Sequence, residues 1–188
     1  EETFIMAGFP LSAYHALTSE EQRPKLYKWF DVKKLDNTIG IHLRAEYGRN
    51  PRRSPTYEWW IGIITPLLQM GYRLIRFGHP NEDKMNELIE HDSNYKDLRN
   101  LSLIEQVRIV LGCNGYIGTD TGFSLFLAAY DSIPQISLVT DWNVGHKTNF
   151  KALAPETDKR MTLVGLGHCD TIQHELVWIL FFYGKKTR

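Results

Sequence analysis

Short apolar runs alternate along this chain with longer segments whose apolar residues recur at helical spacing. The short runs are rich in β-branched residues and predict strands at residues 37–43, 72–77, 96–98, 116–118, 135–140 and 161–164. The periodic segments predict helices at residues 18–30, 55–71, 82–90, 102–112, 123–130 and 171–183. Strands that alternate with helices in this way predict a parallel sheet whose two faces are both covered by helices.

The predicted fold class is therefore α/β, a doubly wound, Rossmann-like parallel sheet in three layers. In this prediction residues 36–188 form the domain, and residues 1–35 form a helical or linker segment ahead of the first strand. Local signals mark two helix starts. Ser102 followed by Glu105 predicts a capping box, and Pro55 suits the first turn of a helix.

Composition narrows the classes of protein that fit. The 188 residues carry 22 Lys and Arg against 22 Asp and Glu, and 43% of them are hydrophobic. Such a chain can bury a core without disulfides or metal, and its hydrophobic content excludes intrinsic disorder. A net charge of zero gives no general attraction for phosphate backbones, so nucleic acid is not predicted as a partner.

Cysteine spacing and hydropathy bear on location. Cys113 and Cys169 lack the spacing of a zinc site, which favours a reducing compartment. The longest strongly apolar run, residues 176–183, is far shorter than the ~20 residues of a membrane helix, and residues 1–10 do not resemble a signal peptide. We therefore expect a cytoplasmic protein without a membrane span, free or peripheral at the inner face of the membrane.

Ligands of open parallel sheets bind beyond the carboxyl ends of the strands, near the point where strand order reverses. The loop at residues 118–124 lies at that edge and joins a strand to a helix through glycine and hydroxyl residues. Its backbone N–H groups can therefore face an anion such as a pyrophosphate. A tight connection capped by Thr or Asp explains the same residues, and the two interpretations carry equal weight on the residues alone.

Two other loops add polar groups to this edge. The loop after the first strand contains four arginines, Arg44, Arg49, Arg52 and Arg53. Guanidinium groups suit two-point contacts with phosphate oxygens. The alternative is a basic loop that is merely exposed to solvent. Because this loop and residues 118–124 are predicted to lie at one crevice, an anion site is favoured. Glu82 either complements a helix N-terminus or accepts hydrogen bonds from ribose hydroxyls.

Motifs for other chemistry are absent from the sequence. There is no P-loop, no Asp-x-Asp pair, and no metal-ligand spacing of histidines, cysteines and carboxylates. Gly165 and Gly167 follow a predicted strand, but Asp170 stands where the third glycine of a dinucleotide fingerprint belongs. The sequence therefore predicts neither a metal site nor a bound cofactor.

From residue 39 to about residue 139 the order of features resembles the C-terminal, donor-binding half of the heptosyltransferase family. These are GT-B glycosyltransferases that transfer heptose from ADP-heptose to the lipopolysaccharide core. The family pattern Gly-x-Asp-Ser/Thr-Gly-x-x-His-Leu-x-Ala-Ala, followed by Pro, is similar to residues 118–129 with Pro134. A Trp-bearing helix, Gly78 and Glu82 stand in the family's order ahead of it.

The resemblance implies roles for the matching residues. The implied donor-binding positions are Glu82, Asp120, Thr121, Gly122, Phe123 and Ser124. Backbone amides of residues 121–123 would bind the donor's pyrophosphate, and Glu82 would hold the ribose. Arg44 and Arg52 would neutralise phosphate charge as the sugar leaves, in place of a metal.

The implied activity is that of a metal-independent, inverting glycosyltransferase. It would transfer sugar from a nucleoside diphosphate sugar to a hydroxyl of a glycan or a lipid-linked acceptor of cell-surface or lipopolysaccharide type. Leu125 stands where the family pattern has His, so the resemblance implies a nucleotide sugar without fixing a heptose.

The family's general base lies in an N-terminal domain, which residues 1–35 are too short to form. We therefore expect this chain to be one half of a GT-B enzyme, with that N-terminal domain as its missing partner. The alternative is a non-catalytic, transferase-like binding or scaffold domain, which Leu125 and the missing base would favour.

Overall fold

The structure is a computed structural model. It describes residues 30, 32–44, 54–119, 121, 123, 124, 127, 133–139 and 161–165. Residues 139 and 161–165 are described by their backbone alone. The strands among these residues are β1 (Thr38–His42), β2 (Arg73–Phe77), β3 (Tyr95–Asp97), β4 (Gly115–Thr119), β5 (Gln135–Val139) and β6 (Met161–Gly165). The helices are α1 (Tyr57–Gln69), α2 (Glu87–Glu90) and α3 (Leu103–Val110). Each of the six predicted strands is present, and its ends lie within one residue of the prediction.

The six strands form one parallel sheet in the order β3-β2-β1-β4-β5-β6. The chain builds outward from β1 through β2 to β3, and then returns to the other side of β1 with β4. Strand order therefore reverses between β1 and β4, where His42 is in register with Gly118. The predicted doubly wound, parallel α/β fold is confirmed.

Alternate side chains of the strands pack on opposite faces of the sheet. On one face, Ile41 of β1 belongs to a core cluster with Trp60 of α1. On the other, Phe77 of β2 belongs to a second cluster with Val110 of α3. A Cβ atom on Gly40 would lie 2.9 Å from Val110 Cγ2, so α3 packs closely on β1. Helices thus cover both faces of the sheet around its central strand.

Two helix starts show how local chemistry sets the boundaries. Thr56 is the N-cap of α1, and its side chain accepts a hydrogen bond from Trp59 N at 3.2 Å. Pro55 therefore precedes the helix, and the prediction that it occupies the first turn is wrong. The capping box predicted for α3 is confirmed, because Ser102 and Glu105 each accept a hydrogen bond from the other's backbone N–H.

The helix predicted at residues 82–90 is wrong over its first half. Only Glu87–Glu90 are helical, and the side chain of Asn86 caps this short helix. The five residues before the helix are irregular, and the carbonyl oxygens of the first two, Glu82 and Asp83, accept hydrogen bonds from arginine side chains of β2 and of the segment after β3. Arg76 Nη2 donates to one of them at 2.8 Å, and Arg99 Nη1 donates to another.

Some predicted features lie outside the described residues, among them most of the helix at 18–30 and the helix at 171–183. Where the first of these segments enters the described part, Phe30 is buried in the same cluster as Val110. The predicted domain boundary between residues 35 and 36 stays a prediction. None of the helices described is long and apolar enough to cross a membrane.

Candidate functional site

The described ends of two loops predicted to bind a ligand follow neighbouring strands. Because β1 and β4 are neighbours, His42 at the end of β1 lies beside the turn that follows β4, and Arg44 comes two residues after His42. In that turn the structure describes Thr121, Phe123 and Ser124, and the rings of His42 and Phe123 are 5.7 Å apart. The predicted site positions that lie outside the described residues are Arg52, Asp120 and Gly122.

Thr121 begins the helical turn after β4. Its Oγ1 accepts a hydrogen bond from Ser124 N at 3.3 Å, which is the geometry of an N-cap. Phe123, Ser124 and Leu127 are helical. Of the two interpretations of this turn, the capped connection is therefore observed. A capped helix still presents its positive end to a ligand, so capping does not compete with anion binding.

The side chain of Ser124 points into the protein. Its hydroxyl donates to Thr119 O at 2.6 Å and lies 3.2 Å from the Tyr116 hydroxyl, which ties the turn to β4. The Tyr116 ring passes so close to the backbone that a Cβ atom on Gly118 would lie 2.2 Å from its hydroxyl oxygen. Packing therefore requires glycine at position 118, and the donor contact predicted for Ser124 stays a prediction.

His42 is a polar residue of this edge that the sequence reasoning missed. Its Nδ1 lies 3.3 Å from Thr121 Oγ1, and the Phe123 ring meets its imidazole edge-on. Burial, and after it the charge of Arg76, lowers the pKa of His42 to about 4. The imidazole is therefore neutral at pH 7. A polar residue at the end of an otherwise apolar strand is the one signal in the sequence that points to it.

Arg44 is half-buried at the end of β1, and its guanidinium lies over an aromatic ring. Its Cζ is 5.1 Å from the centre of the Tyr57 ring, at the start of α1. Arg76 approaches the same ring, with its Cζ at 5.8 Å. The Tyr57 hydroxyl in turn donates to Asp83 O at 3.2 Å. The ring therefore restrains a guanidinium that the sequence predicted to contact phosphate.

Glu82 forms a buried ion pair with Arg76, whose Nη2 lies 3.1 Å from Glu82 Oε2. The two side chains are 3% and 0% exposed, so the charges are almost completely removed from water. Glu82 Oε1 accepts a second hydrogen bond from His79 N at 2.9 Å. Both carboxylate oxygens thus have protein partners, and the predicted contact of Glu82 with ribose stays a prediction.

A second arginine fixes the same loop. The Arg99 guanidinium binds Asp97 through two nitrogens, with Nη2 to Oδ2 at 2.6 Å, and its Nη1 donates to Glu82 O. Burial by itself raises the pKa of Asp97, but the hydrogen bonds and charge of Arg99 outweigh it and hold that pKa below its usual range. Gln106 binds both the N–H and the carbonyl of Gly78. Residues 78–86 are therefore anchored against the carboxyl edge at several points.

Residues suited to a metal ion do not gather at this edge. Within the part of the chain that the structure describes, no three His, Cys, Asp or Glu side chains are grouped so that they could hold one. The polar groups described there are guanidiniums, hydroxyls, one neutral imidazole, and carboxylates that are already paired with arginines. Such groups suit an anionic or hydroxylated ligand.

Comparison with known proteins identifies the fold. No protein family model and no curated protein matches the sequence. The heptosyltransferase WaaC of E. coli, solved with ADP, superposes with a TM-score of 0.63 over 84% of this chain and 48% of its own, at 19% identity. The fold is that of a heptosyltransferase domain.

Two further structures give the same result. The E. coli ADP-heptose LPS heptosyltransferase II matches with a TM-score of 0.61 over 88% of this chain and 51% of its own, at 16% identity. A family 9 glycosyl transferase from Veillonella parvula DSM 2008 matches with a TM-score of 0.54 over 78% of this chain and 41% of its own, also at 16% identity. The chain thus spans about half the length of the heptosyltransferases it resembles.

The resemblance to heptosyltransferases that residues 118–129 predict is confirmed at the level of fold. At 16–19% identity, similarity of this kind establishes a glycosyltransferase-like fold.

Proposed function

We propose that this chain binds the nucleoside diphosphate part of a sugar donor and forms the donor half of a glycosyltransferase. The observation that carries the proposal is that Arg44 and the capped turn at Thr121 follow two neighbouring strands, β1 and β4, at the carboxyl end of the sheet where strand order reverses. Nucleotides bind doubly wound sheets at such reversal points. WaaC has the same fold and was solved with ADP, which supports a nucleoside diphosphate as the ligand.

Charge complementarity supports the diphosphate. The helical turn after Thr121 offers the positive end of its dipole, and the Arg44 guanidinium adds a full charge held against Tyr57. In the proposed transfer, the bond between the anomeric carbon and a phosphate oxygen breaks, and the diphosphate leaves with increased negative charge. Arg44, with Arg52 of the same loop, offsets that charge, so the scheme uses no metal or cofactor.

The rest of the reaction involves groups outside the donor site. The acceptor in the proposal is a hydroxyl of a glycan or lipid-linked molecule of cell-surface or lipopolysaccharide type. It attacks the anomeric carbon on the face opposite the diphosphate, with inversion. A second domain of GT-B type supplies the base that takes its proton. We place this reaction in the cytoplasm or at the inner face of the membrane.

The part of Glu82 in this proposal depends on its ion pair. With the Arg76 pair closed, the carboxylate fixes the loop at 78–86 along the edge where a nucleoside would lie. Because the Glu82 side chain is 3% exposed, ribose hydroxyls reach its oxygens only when that loop shifts. In this proposal the backbone amides of residues 121–123 bind the pyrophosphate, and Asp120 and Ser124 are further donor-binding positions.

Titration calorimetry with ADP, UDP and GDP tests the proposal. We expect the chain to bind at least one of them, and Arg44→Gln to weaken that binding about tenfold or more, because a charged hydrogen bond to phosphate is lost. Arg73→Gln is the matched control. Arg73 is exposed at the start of β2, at the opposite edge of the sheet, and its loss should leave binding unchanged.

Two results contradict the proposal. If none of the three nucleotides binds at millimolar concentration, the chain has no donor site of this class. If Arg44→Gln and Arg73→Gln weaken binding equally, the ligand lies elsewhere on the surface.

A further inference from the structure

His42 is a buried polar side chain that the proposed reaction leaves without a role. It ends β1 beside the turn after β4, with Nδ1 at 3.3 Å from Thr121 Oγ1 and the Phe123 ring packed edge-on against the imidazole. On the other side of the ring, Cδ2 lies 3.1 Å from the position that a Cβ atom on Gly78 would take. The imidazole is thus held between the ends of β2 and β4, at the place proposed for the phosphates.

The hydrogen bonds around Thr121 assign the tautomer of this ring. Thr121 Oγ1 accepts the N–H of Ser124, so its own proton goes to another acceptor. The acceptors in reach among the described groups are His42 Nδ1 at 3.3 Å, Ser124 Oγ at 3.5 Å and the Tyr116 hydroxyl, which also contacts the Thr121 side chain. The serine oxygen already contacts the Tyr116 hydroxyl and donates to a carbonyl. The Tyr116 and Ser124 hydroxyls already contact each other, so Nδ1 is the less occupied acceptor. With the ring proton on Nε2, Nδ1 accepts the Thr121 proton, whereas a ring protonated on Nδ1 would donate to Thr121 Oγ1 instead.

We propose that His42 is a positioning residue for the donor's phosphates, which accepts the Thr121 hydroxyl proton at Nδ1 and so fixes the residue that starts the phosphate-facing helix. The inference rests on the donor site proposed above. Its effect is pre-organisation, because a turn that already has its bound geometry loses less freedom when the ligand arrives. Without the imidazole, the remaining described acceptors for the Thr121 hydroxyl are the Ser124 and Tyr116 hydroxyls, which would draw that side chain towards the sheet.

Calorimetry with single variants tests this role, using whichever of ADP, UDP and GDP binds the wild-type chain. Asn at position 42 can place an amide oxygen near the position of Nδ1, whereas Leu fills similar space without an acceptor. We expect His42→Leu and Thr121→Val each to weaken binding about fivefold to tenfold, and His42→Asn to weaken it less than about threefold. Unchanged binding in His42→Leu would overturn the inference.

The double variant His42→Leu/Thr121→Val separates positioning from packing. If His42 acts through Thr121, the double variant binds the nucleotide no more weakly than Thr121→Val alone. Losses that multiply would show independent effects and overturn the inference. Thermal unfolding of every variant measures its stability separately from nucleotide binding. If the role of His42 were purely structural, His42→Asn would not bind the nucleotide better than His42→Leu.

Nitrogen-15 NMR of the histidine rings distinguishes a failure of this inference from a failure of the donor site. We expect His42 in the ligand-free chain at pH 7 to carry its proton on Nε2, with the signal assigned by its loss in His42→Asn. A ring protonated on Nδ1 overturns the inference even where the nucleotide binds. If His42 has the expected tautomer but the chain binds no nucleoside diphosphate, the proposed donor site is wrong, and the role of His42 in that site is wrong as well.

Discussion

Side-chain size and hydroxyl placement at the end of β4 decide the shape of the candidate site. Gly118 leaves room for the buried Tyr116 ring, Ser124 ties the turn to the strand, and Thr121 caps the helix that follows. The sequence predicts this turn, because glycine and hydroxyl residues between a strand and a helix favour such a connection. It does not predict the role of His42, because the contact with Thr121 joins residues 79 positions apart.

At the scale of that residue, the buried imidazole predicts a pH dependence of stability. Burial and the charge of Arg76 lower the pKa of folded His42 to about 4, whereas the unfolded value is 6.5. Between these values the unfolded chain binds more protons, so the free energy of unfolding falls as pH falls from 6.5 towards 4. The slope from one such group approaches ~1.4 kcal/mol per pH unit. We expect His42→Asn to remove this part of the slope.

Urea unfolding at several pH values between 4 and 8 measures the effect. His91→Asn is the control, because His91 is an exposed histidine just after α2. Parallel stability profiles for wild type and His42→Asn would contradict the assignment of a buried, neutral imidazole.

At the scale of elements, the loop between β2 and α2 is held by two arginines, one in β2 and one just after β3. Arg76 pairs with Glu82, and Arg99 reaches the carbonyl of Glu82 from 17 positions away. The sequence predicts a helix at residues 82–90, but these arginines hold its first half irregular. Hydrophobic periodicity cannot report this, because it contains no information about side chains that bind a backbone from another strand.

Breaking the Arg76 pair should therefore be costly. Glu82→Ala leaves the guanidinium of Arg76 buried without its counter-charge, and we expect a loss of about 3–5 kcal/mol in the free energy of unfolding. The matched control is Glu58→Ala, which removes an exposed carboxylate from the first turn of α1 and should cost well under ~1 kcal/mol. Urea unfolding at pH 7 measures both.

Replacing both partners tests the reason for that loss. Arg76→Met combined with Glu82→Leu removes the buried charges together, and we expect it to be less destabilising than Glu82→Ala. Equal losses for Glu82→Ala and Glu58→Ala would show that the ion pair does not anchor the loop.

At the scale of the whole molecule, the alternation of strands and helices was enough to predict a doubly wound sheet. The strand order was not derivable from it, because the side of β1 on which β4 pairs depends on the packing of both faces. Part of that packing is contributed by a residue that precedes the predicted domain in the sequence. Phe30 is 5% exposed and belongs to the cluster of α3 and Tyr116.

This placement predicts that the domain needs Phe30. We expect Phe30→Ala to lower the free energy of unfolding by about 3–5 kcal/mol, because it leaves a cavity in the second cluster. Leu88→Ala is the control, since Leu88 is 86% exposed and its loss should cost less than ~0.5 kcal/mol. If the two variants unfold at the same urea concentration, residue 30 does not belong to the folding unit.

The neighbouring position of β1 and β4 also determines when a binding edge can exist during folding. Thr38 and Asn114, which hydrogen-bond at the start of this pair, are 76 positions apart. Closing a loop of that length loses entropy before the new contacts can stabilise it, so this pairing is expected to be slow. A growing chain that has not yet reached residue 115 has no such edge. After dilution from urea, nucleotide binding should therefore return in the slowest phase, well after the helical signal.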